Sequence, residues 1–166
     1  RQKDGTLKLS GECTETCQYY AMFFGVAPQK EFPELWARMV RDFGPGREQT
    51  GLWPKIHPSN FIFGRCIREE LLSAVGERRR VYDEMCLHFL GMAEKTGTLW
   101  EHNSPQASCC HGFASIASEY LIRDILGFKG LDADGKPIVK RPEGLDLEWC
   151  EAVIPVSESE TVTVKW

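Results

Sequence analysis

Apolar positions between residues 15 and 126 recur at helical rather than strand spacing, and they predict five helices. From Glu31 to Phe43, the residues Phe32, Leu35, Trp36, Met39, Val40 and Phe43 fall at i, i+3, i+4, i+7, i+8 and i+11. Glu31, Glu34, Arg38, Arg41 and Asp42 fill the opposite face, and Gly44-Pro45-Gly46 ends the pattern. Glu15 to Val26 differs: Tyr19, Tyr20, Met22, Phe23, Phe24 and Val26 point in nearly all directions, which predicts a helix buried on several sides. Phe61 to Val75, with Ile62, Phe63, Cys66, Ile67, Leu71 and Leu72, reads as a second buried helix. Arg78 to Lys95 places Val81, Met85, Phe89 and Met92 on one stripe, and its opening Arg78-Arg79-Arg80 is most simply a solvated face. His111 to Leu126 carries Phe113, Ile116, Ala117, Tyr120, Leu121 and Ile125 beside small residues, with Gly127 as cap.

Short turns at Ala27 to Lys30 and at Gly76-Glu77 predict antiparallel helical hairpins. The alternate connections, Gly44 to Asn60 and Thr96 to Cys110, are long and should emerge on one face, where long loops are usually functional. After Gly127 the turn residues Asp132-Ala133-Asp134-Gly135, Pro137 and Pro142 mark a boundary. Leu145, Leu147 and Trp149, then Val162, Val164 and Trp166, alternate with polar residues and predict at least two strands. Residues 1–130 are therefore expected to be helical and 131–166 to be a linker and the start of a β-domain. Two strands are not stable alone, so the chain is expected to be a piece of a longer protein.

Composition narrows the function. The 166 residues, 42% hydrophobic and 27% charged, suit one core-forming domain. A formal charge of −4 gives no field to attract a phosphate backbone, so nucleic acid is not an expected partner. The longest apolar run, Tyr19 to Ala27, is far short of the roughly 20 residues needed to cross a bilayer, so no membrane partner is expected either. The polar Arg1 to Asp4 leads into no apolar segment and reads as neither signal peptide nor natural start. Seven cysteines cannot all pair within the chain.

The stretch Gly97 to Ser104 sets Trp100 beside Glu101, His102 and Asn103. That mixture suits a sugar, whose C–H faces stack on aromatic rings and whose hydrolysis needs paired carboxylates. The plainer alternative makes Glu101 a solvated loop acid and Trp100 a plug over the core. Glu12 and Glu15 flank Thr14, a plausible N-cap, and either complement the helix dipole or face a pocket. Cys13, Cys17, Cys109, Cys110 and His111 match no zinc-module spacing, so no metal is expected. His111 is a structural helix-start residue or a site residue; His88 reads as a core histidine, and His57 as a surface residue. Trp53 is a loop anchor or a stacking platform. No phosphate-cradling Gly-rich loop, nucleophile elbow or HExxH pair occurs, and no cofactor is expected.

The segments Gly97-Thr98-Leu99-Trp100-Glu101-His102, Ser108-Cys109-Cys110-His111-Gly112-Phe113-Ala114-Ser115 and Glu119 to Gly127 resemble the last part of the catalytic domain of bacterial α-L-rhamnosidases. These are six-hairpin glycosidases built on an (α/α)6 toroid. Glu12 to Tyr20 is similar to a helix start in a related branch, and Leu145 to Trp166 is similar to the first strands of the β-sandwich that follows the toroid. The resemblance implies a mainly α fold of helical hairpins forming part of such a toroid, followed by the start of a β-sandwich. It implies inverting hydrolysis of terminal α-L-rhamnosyl or similar residues, with Glu101 as general base and Trp100, His111, Glu15 and Trp53 shaping the sugar site. The general acid would come from the missing half of the toroid, and the protein would be periplasmic or extracellular. Cys110 stands where the family usually has Asn, and the acids Glu12 and Glu15 are unusual there; both point to altered sugar specificity. A trehalase-like or other exo-glycosidase of the same fold, and a non-catalytic helical module binding glycan or protein, are the alternatives.

Overall fold

In the computed structural model, which describes residues 12–166, helices form where the periodicity places them, and small two-stranded pairings complete a mixed α and β structure. The chain divides into two compact units, Arg1–Ser59 and Asn60–Trp166. The reading of Arg1 to Asp4 lies outside the described residues.

In the first unit β1 (Cys13–Thr14) leads directly into α1 (Glu15–Phe23), and the Thr14 hydroxyl caps the helix by accepting from the Cys17 N–H at 3.0 Å. α2 (Pro33–Arg41) starts on a proline, whose missing N–H costs a first-turn position nothing. It buries Trp36 and Met39 as its stripe requires, and Phe43 follows into the core, where its ring meets Tyr19 edge-on at 6.3 Å. The Trp36 indole N–H donates to the Ala27 carbonyl at 2.8 Å, tying α2 to the turn after α1. A one-turn α3 (Arg47–Thr50) and β2 (Ile56–His57), which pairs in parallel with β1, complete the unit. The expectation for α1 needs correction: it buries Glu15, Tyr19 and Met22 but leaves Tyr20, Phe23, Phe24 and Val26 exposed. Sequence shows how many directions are apolar, whereas burial depends on what packs against each of them.

In the second unit α4 (Ile62–Ala74) ends at Val75-Gly76, with Gly76 at φ +85, and reverses into α5 (Arg78–Met85). A π-helical segment, Cys86–Leu90, and α6 (Gly91–Thr96) continue α5. The stripe Val81, Met85, Phe89 and Met92 is buried as expected, but the wide turn leaves Leu87 and Leu90 exposed. A 3₁₀ turn (Gly112–Ser115), α7 (Ile116–Tyr120) and a second π segment (Leu121–Leu126) form the last helical stretch, and α5 packs against both α4 and this segment.

The buried face of α4 is charged as well as apolar. Ile62, Arg65, Arg68 and Leu72 follow one another at three- or four-residue steps, Glu69 lies between the last two at helical spacing from Arg65 and Leu72, and all five are buried. Arg68 meets Glu84 of α5 in a two-pronged pair, Nε and Nη2 each 2.7 Å from a carboxylate oxygen. Asp124, 1% exposed, accepts from the Ser73 hydroxyl at 2.6 Å and from Arg123. Arg65 Nε and Nη2 and Glu69 Oε2 are buried without hydrogen-bond partners. Burial lowers the Arg65 guanidinium to about 10, and burial together with the Glu84 charge holds the Glu69 carboxyl well above its usual range.

β3 (Phe128–Leu131) and β4 (Pro137–Val139) form an antiparallel hairpin around Asp132 to Gly135, so those turn residues close a hairpin. β5 (Glu151–Pro155) and β6 (Thr161–Lys165) form a second hairpin. The strand expected at Leu145, Leu147 and Trp149 is not formed: Leu145 is buried and Trp149 is 70% exposed, while backbone pairing begins at Cys150, which exchanges hydrogen bonds with Trp166. Alternation alone does not supply a hydrogen-bonding partner. Leu126, Ile154 and Val164 share a small core with Ile122, Phe128, Val139, Cys150, Ala152 and Val162, and the Trp166 indole donates to the Leu126 carbonyl at 2.8 Å.

Candidate functional site

The connection from α6 to the last helical stretch folds back on itself. Gly97, at φ +71, ends α6 and starts the reversal. The His111 N–H then donates to the Leu99 carbonyl at 3.0 Å, and the Glu101 N–H to the Ser108 carbonyl at 2.8 Å. The Thr98 hydroxyl donates to the Cys109 carbonyl, and the Ile62 N–H to the Glu101 carbonyl at 2.9 Å, so the loop is fixed to itself and to the start of α4. Trp100, Glu101 and His111 are thereby held in one paired loop.

Their environments differ. Trp100 is 4% exposed; its indole N–H donates to the Thr96 hydroxyl at 2.8 Å, and Lys95 Nζ stands 5.7 Å from the ring centre. Trp100 closes one side of a cavity of about 210 Å³, which Leu87, His88, Met92, Lys95 and Asn103 also line. His88 is neutral there: burial, then the charges of Arg65 and Arg68, push it down to about 3. Glu101 is half-buried, and its carboxylate accepts one long bond, from the Ser108 N–H at 3.4 Å. His111 lies between the rings of Phe61 (6.4 Å) and Phe113 (5.4 Å), with its Nε2 buried and without a hydrogen-bond partner. Phe61 also meets His102 at 5.2 Å, and Phe63 meets Phe113 at 5.0 Å, so an aromatic cluster, with Phe113 62% exposed, surrounds the loop.

Glu15 and Trp53 belong to the first unit, where Arg47 brings them together. Glu15, 1% exposed, accepts from Arg47, from the Tyr19 hydroxyl at 2.9 Å and from the Ser59 N–H at 3.2 Å. These bonds occupy the carboxylate as a structural anchor. Arg47 also donates to the carbonyls of Leu52 (2.8 Å), Trp53 (3.0 Å) and Ile56 (2.5 Å), so the loop from Gly44 to Asn60 wraps around one guanidinium. Trp53 adopts φ +53, a left-handed conformation costly for a bulky residue. Its indole N–H donates to Asp42 at 3.1 Å and Arg38 covers its ring at 4.6 Å, so one face of the ring is already occupied.

Among the described residues, no group of three or more His, Cys, Asp or Glu side chains is placed to hold a metal, and all seven cysteines are free thiols. Burial raises Cys66 to about 11, which leaves it an unreactive thiol. No helix among these residues is long and apolar enough to cross a membrane. The sequence reading missed Arg47 and the aromatic partners Phe61 and Phe113. Arg47 follows a Gly-Pro-Gly break and Phe61 lies far from the motif in sequence, so neither carries a local signal of its role, whereas Phe113 stands inside the motif and was open to recognition. Comparison with models of known protein families, with curated proteins and with solved structures finds no match to this chain.

Proposed function

We propose that this chain is part of an α-L-rhamnosidase-like glycoside hydrolase, with Glu101 as the general base of an inverting reaction. The helical hairpins belong to an (α/α)6 toroid, and the strands from Glu151 onward begin the following β-sandwich. The observation that carries the proposal is the paired loop, which joins both halves of the motif and leaves the Glu101 carboxylate lightly engaged. A base needs free lone pairs for the attacking water, and among the described residues the Glu101 carboxylate accepts just the one 3.4 Å bond.

In the reaction, water on one face of the sugar loses its proton to Glu101 as it attacks the anomeric carbon. A second carboxyl group, roughly 6.5–9.5 Å away, protonates the leaving oxygen. That acid comes from the remaining part of the toroid. His111 and the neighbouring phenylalanines flank the sugar, and Trp100 supports the loop from behind. The substrate of this reading is a polysaccharide or glycoside, and the enzyme is periplasmic or extracellular.

The test is turnover of aryl α-L-rhamnosides by the complete enzyme and by its Glu101→Gln variant, with product anomers followed by NMR. Loss of about 10² to 10⁴ in rate is expected. Retention of most activity removes Glu101 from the role, and glycan binding without any turnover assigns a non-catalytic module instead.

A further inference from the structure

Five of the chain's 20 Lys and Arg residues line one cavity of about 170 Å³ in the second unit, in a protein whose formal charge is −4. They are Arg78, Arg123, Lys129, Lys140 and Arg141, with Glu143 as the carboxylate of the lining. Their charges are not equally available. Arg123 is neutralised by Asp124 at 2.9 Å, Glu119 at 3.1 Å and Glu70 at 3.2 Å, and Arg78 stands 3.9 Å from Asp124. The hydrogen-bond and ring partners of the other three are neutral groups, although Glu143 shares the cavity. Lys129 Nζ donates to the Arg123 carbonyl at 3.5 Å; Arg141 donates to the Leu147 carbonyl at 2.8 Å and lies over the Trp166 ring at 4.4 Å. Among the described residues, none of Lys129, Lys140 and Arg141 has a carboxylate within salt-bridge distance.

The backbone holds this convergence in place. The Lys140 N–H donates to the Gly127 carbonyl at 2.9 Å, and a Cβ on Gly127 would lie 2.0 Å from the Lys140 carbonyl oxygen. The end of β4 is thus clamped onto the helix terminus that carries Arg123. Trp166, fixed to Leu126, supports the Arg141 guanidinium. Fixing like charges together is unfavourable unless something of opposite sign joins them. The cavity exceeds by more than tenfold the about 15 Å³ that one water needs.

We infer that this cavity is a binding site for a tetrahedral dianion, phosphate or sulfate, held by Lys129, Lys140 and Arg141, with Arg78 at its side. Arg141 supplies a planar donor fork and the lysines supply point charges. Glu143 repels the anion at one side and favours a ligand that is charged at one end only. The inference is independent of the glycosidase reading.

The experiment is NMR titration of the 166-residue chain with inorganic phosphate, inorganic sulfate, glucose 6-phosphate, glucose 6-sulfate and glucose, at constant ionic strength. Saturable amide shifts at Lys129 and at residues 140–143 are expected with the anions and not with glucose. The exposed pair Lys129→Gln/Lys140→Gln should weaken binding by about tenfold, whereas Lys165→Gln on β6 should leave it unchanged. Tighter binding of the esters than of the free ions identifies a sugar-borne group as the source; equal or weaker binding identifies the free ion. Absence of saturation, or equal weakening by Lys165→Gln, overturns the site.

Discussion

Gly127 and Gly135 offer a matched pair of perturbations, because both have φ +76 and yet their surroundings differ. Alanine at either position must adopt the left-handed conformation, at about 1–2 kcal/mol. At Gly135, in the β3–β4 turn, a Cβ meets nothing within 4 Å, so that is the whole cost. At Gly127 the Cβ would lie 2.0 Å from the Lys140 carbonyl oxygen, 2.9 Å from its carbon and 3.1 Å from Pro142 Cδ. Two of those atoms are backbone, and relief requires β4 to move away. Such movement breaks the 2.9 Å bond from the Lys140 N–H to the Gly127 carbonyl, a loss of about 1 kcal/mol. It also disturbs the packing of Val139 and Phe128 against Leu126, and overpacking of this kind costs about 1–3 kcal/mol more. Gly127→Ala should therefore exceed Gly135→Ala by about 2–4 kcal/mol. With a urea slope of about 1–3 kcal/mol/M, that difference separates the two denaturation midpoints by about 0.7 M or more. Equal midpoints would refute the close approach of β4 to the helix end, and with it the backbone clamp behind the basic cavity.

Other consequences are equally measurable. Glu84→Gln removes the carboxylate charge that meets the buried Arg68 guanidinium and should cost about 3–5 kcal/mol, whereas the double change Arg68→Met/Glu84→Leu should recover most of that in urea denaturation. His88 is pushed down to about 3 in the folded chain, from an ordinary value of 6.5. The unfolded chain then binds the extra proton between these limits, so the His88 contribution to stability is lost as pH falls from about 6.5 toward 3. The stability of the protein relative to His88→Leu should fall as pH drops through that window, and a difference independent of pH would refute the burial argument. Loss of α-L-rhamnosidase turnover in Glu101→Gln, by about 10² to 10⁴, is the corresponding expectation for the proposed base.

How much of this was legible in the sequence depended on the range of the interaction. The stripe Val81, Met85, Phe89 and Met92 was read correctly because a helix brings residues four apart onto one face whatever surrounds it. Trp100, Glu101 and His111 could be noticed together because they lie within a dozen residues, but the backbone bonds that pair the two arms of their loop could not. The polar side of α4 was not legible by apolar counting, although Arg65, Arg68 and Glu69 stand at the same helical spacing as Ile62 and Leu72. Charged residues on an otherwise apolar stripe were the available signal. The strand expected at Leu145 to Trp149 failed because alternation sets which side chains share a face and cannot specify which neighbour supplies hydrogen bonds.

By itself the sequence determined, to within a few residues, where helices start and stop, since capping by Thr14, the proline opening of α2 and the glycines at 76, 97 and 127 all act locally; it did not determine which apolar faces are buried, as the exposed Tyr20 and Phe23 of α1 show. Only the tertiary structure decided the fate of the charges. Glu15 meets Arg47 across 32 residues, Arg68 meets Glu84 across 16, and Ser73 meets Asp124 across 51. Apart from Arg68, which stands on the apolar stripe of α4, nothing local distinguishes these arginines and carboxylates from solvated ones. Folding made some of them buried anchors and gathered Lys129, Lys140 and Arg141 into one cavity. The reason is that a charge takes its role from the partner and dielectric it meets, and both are set by segments distant in the chain.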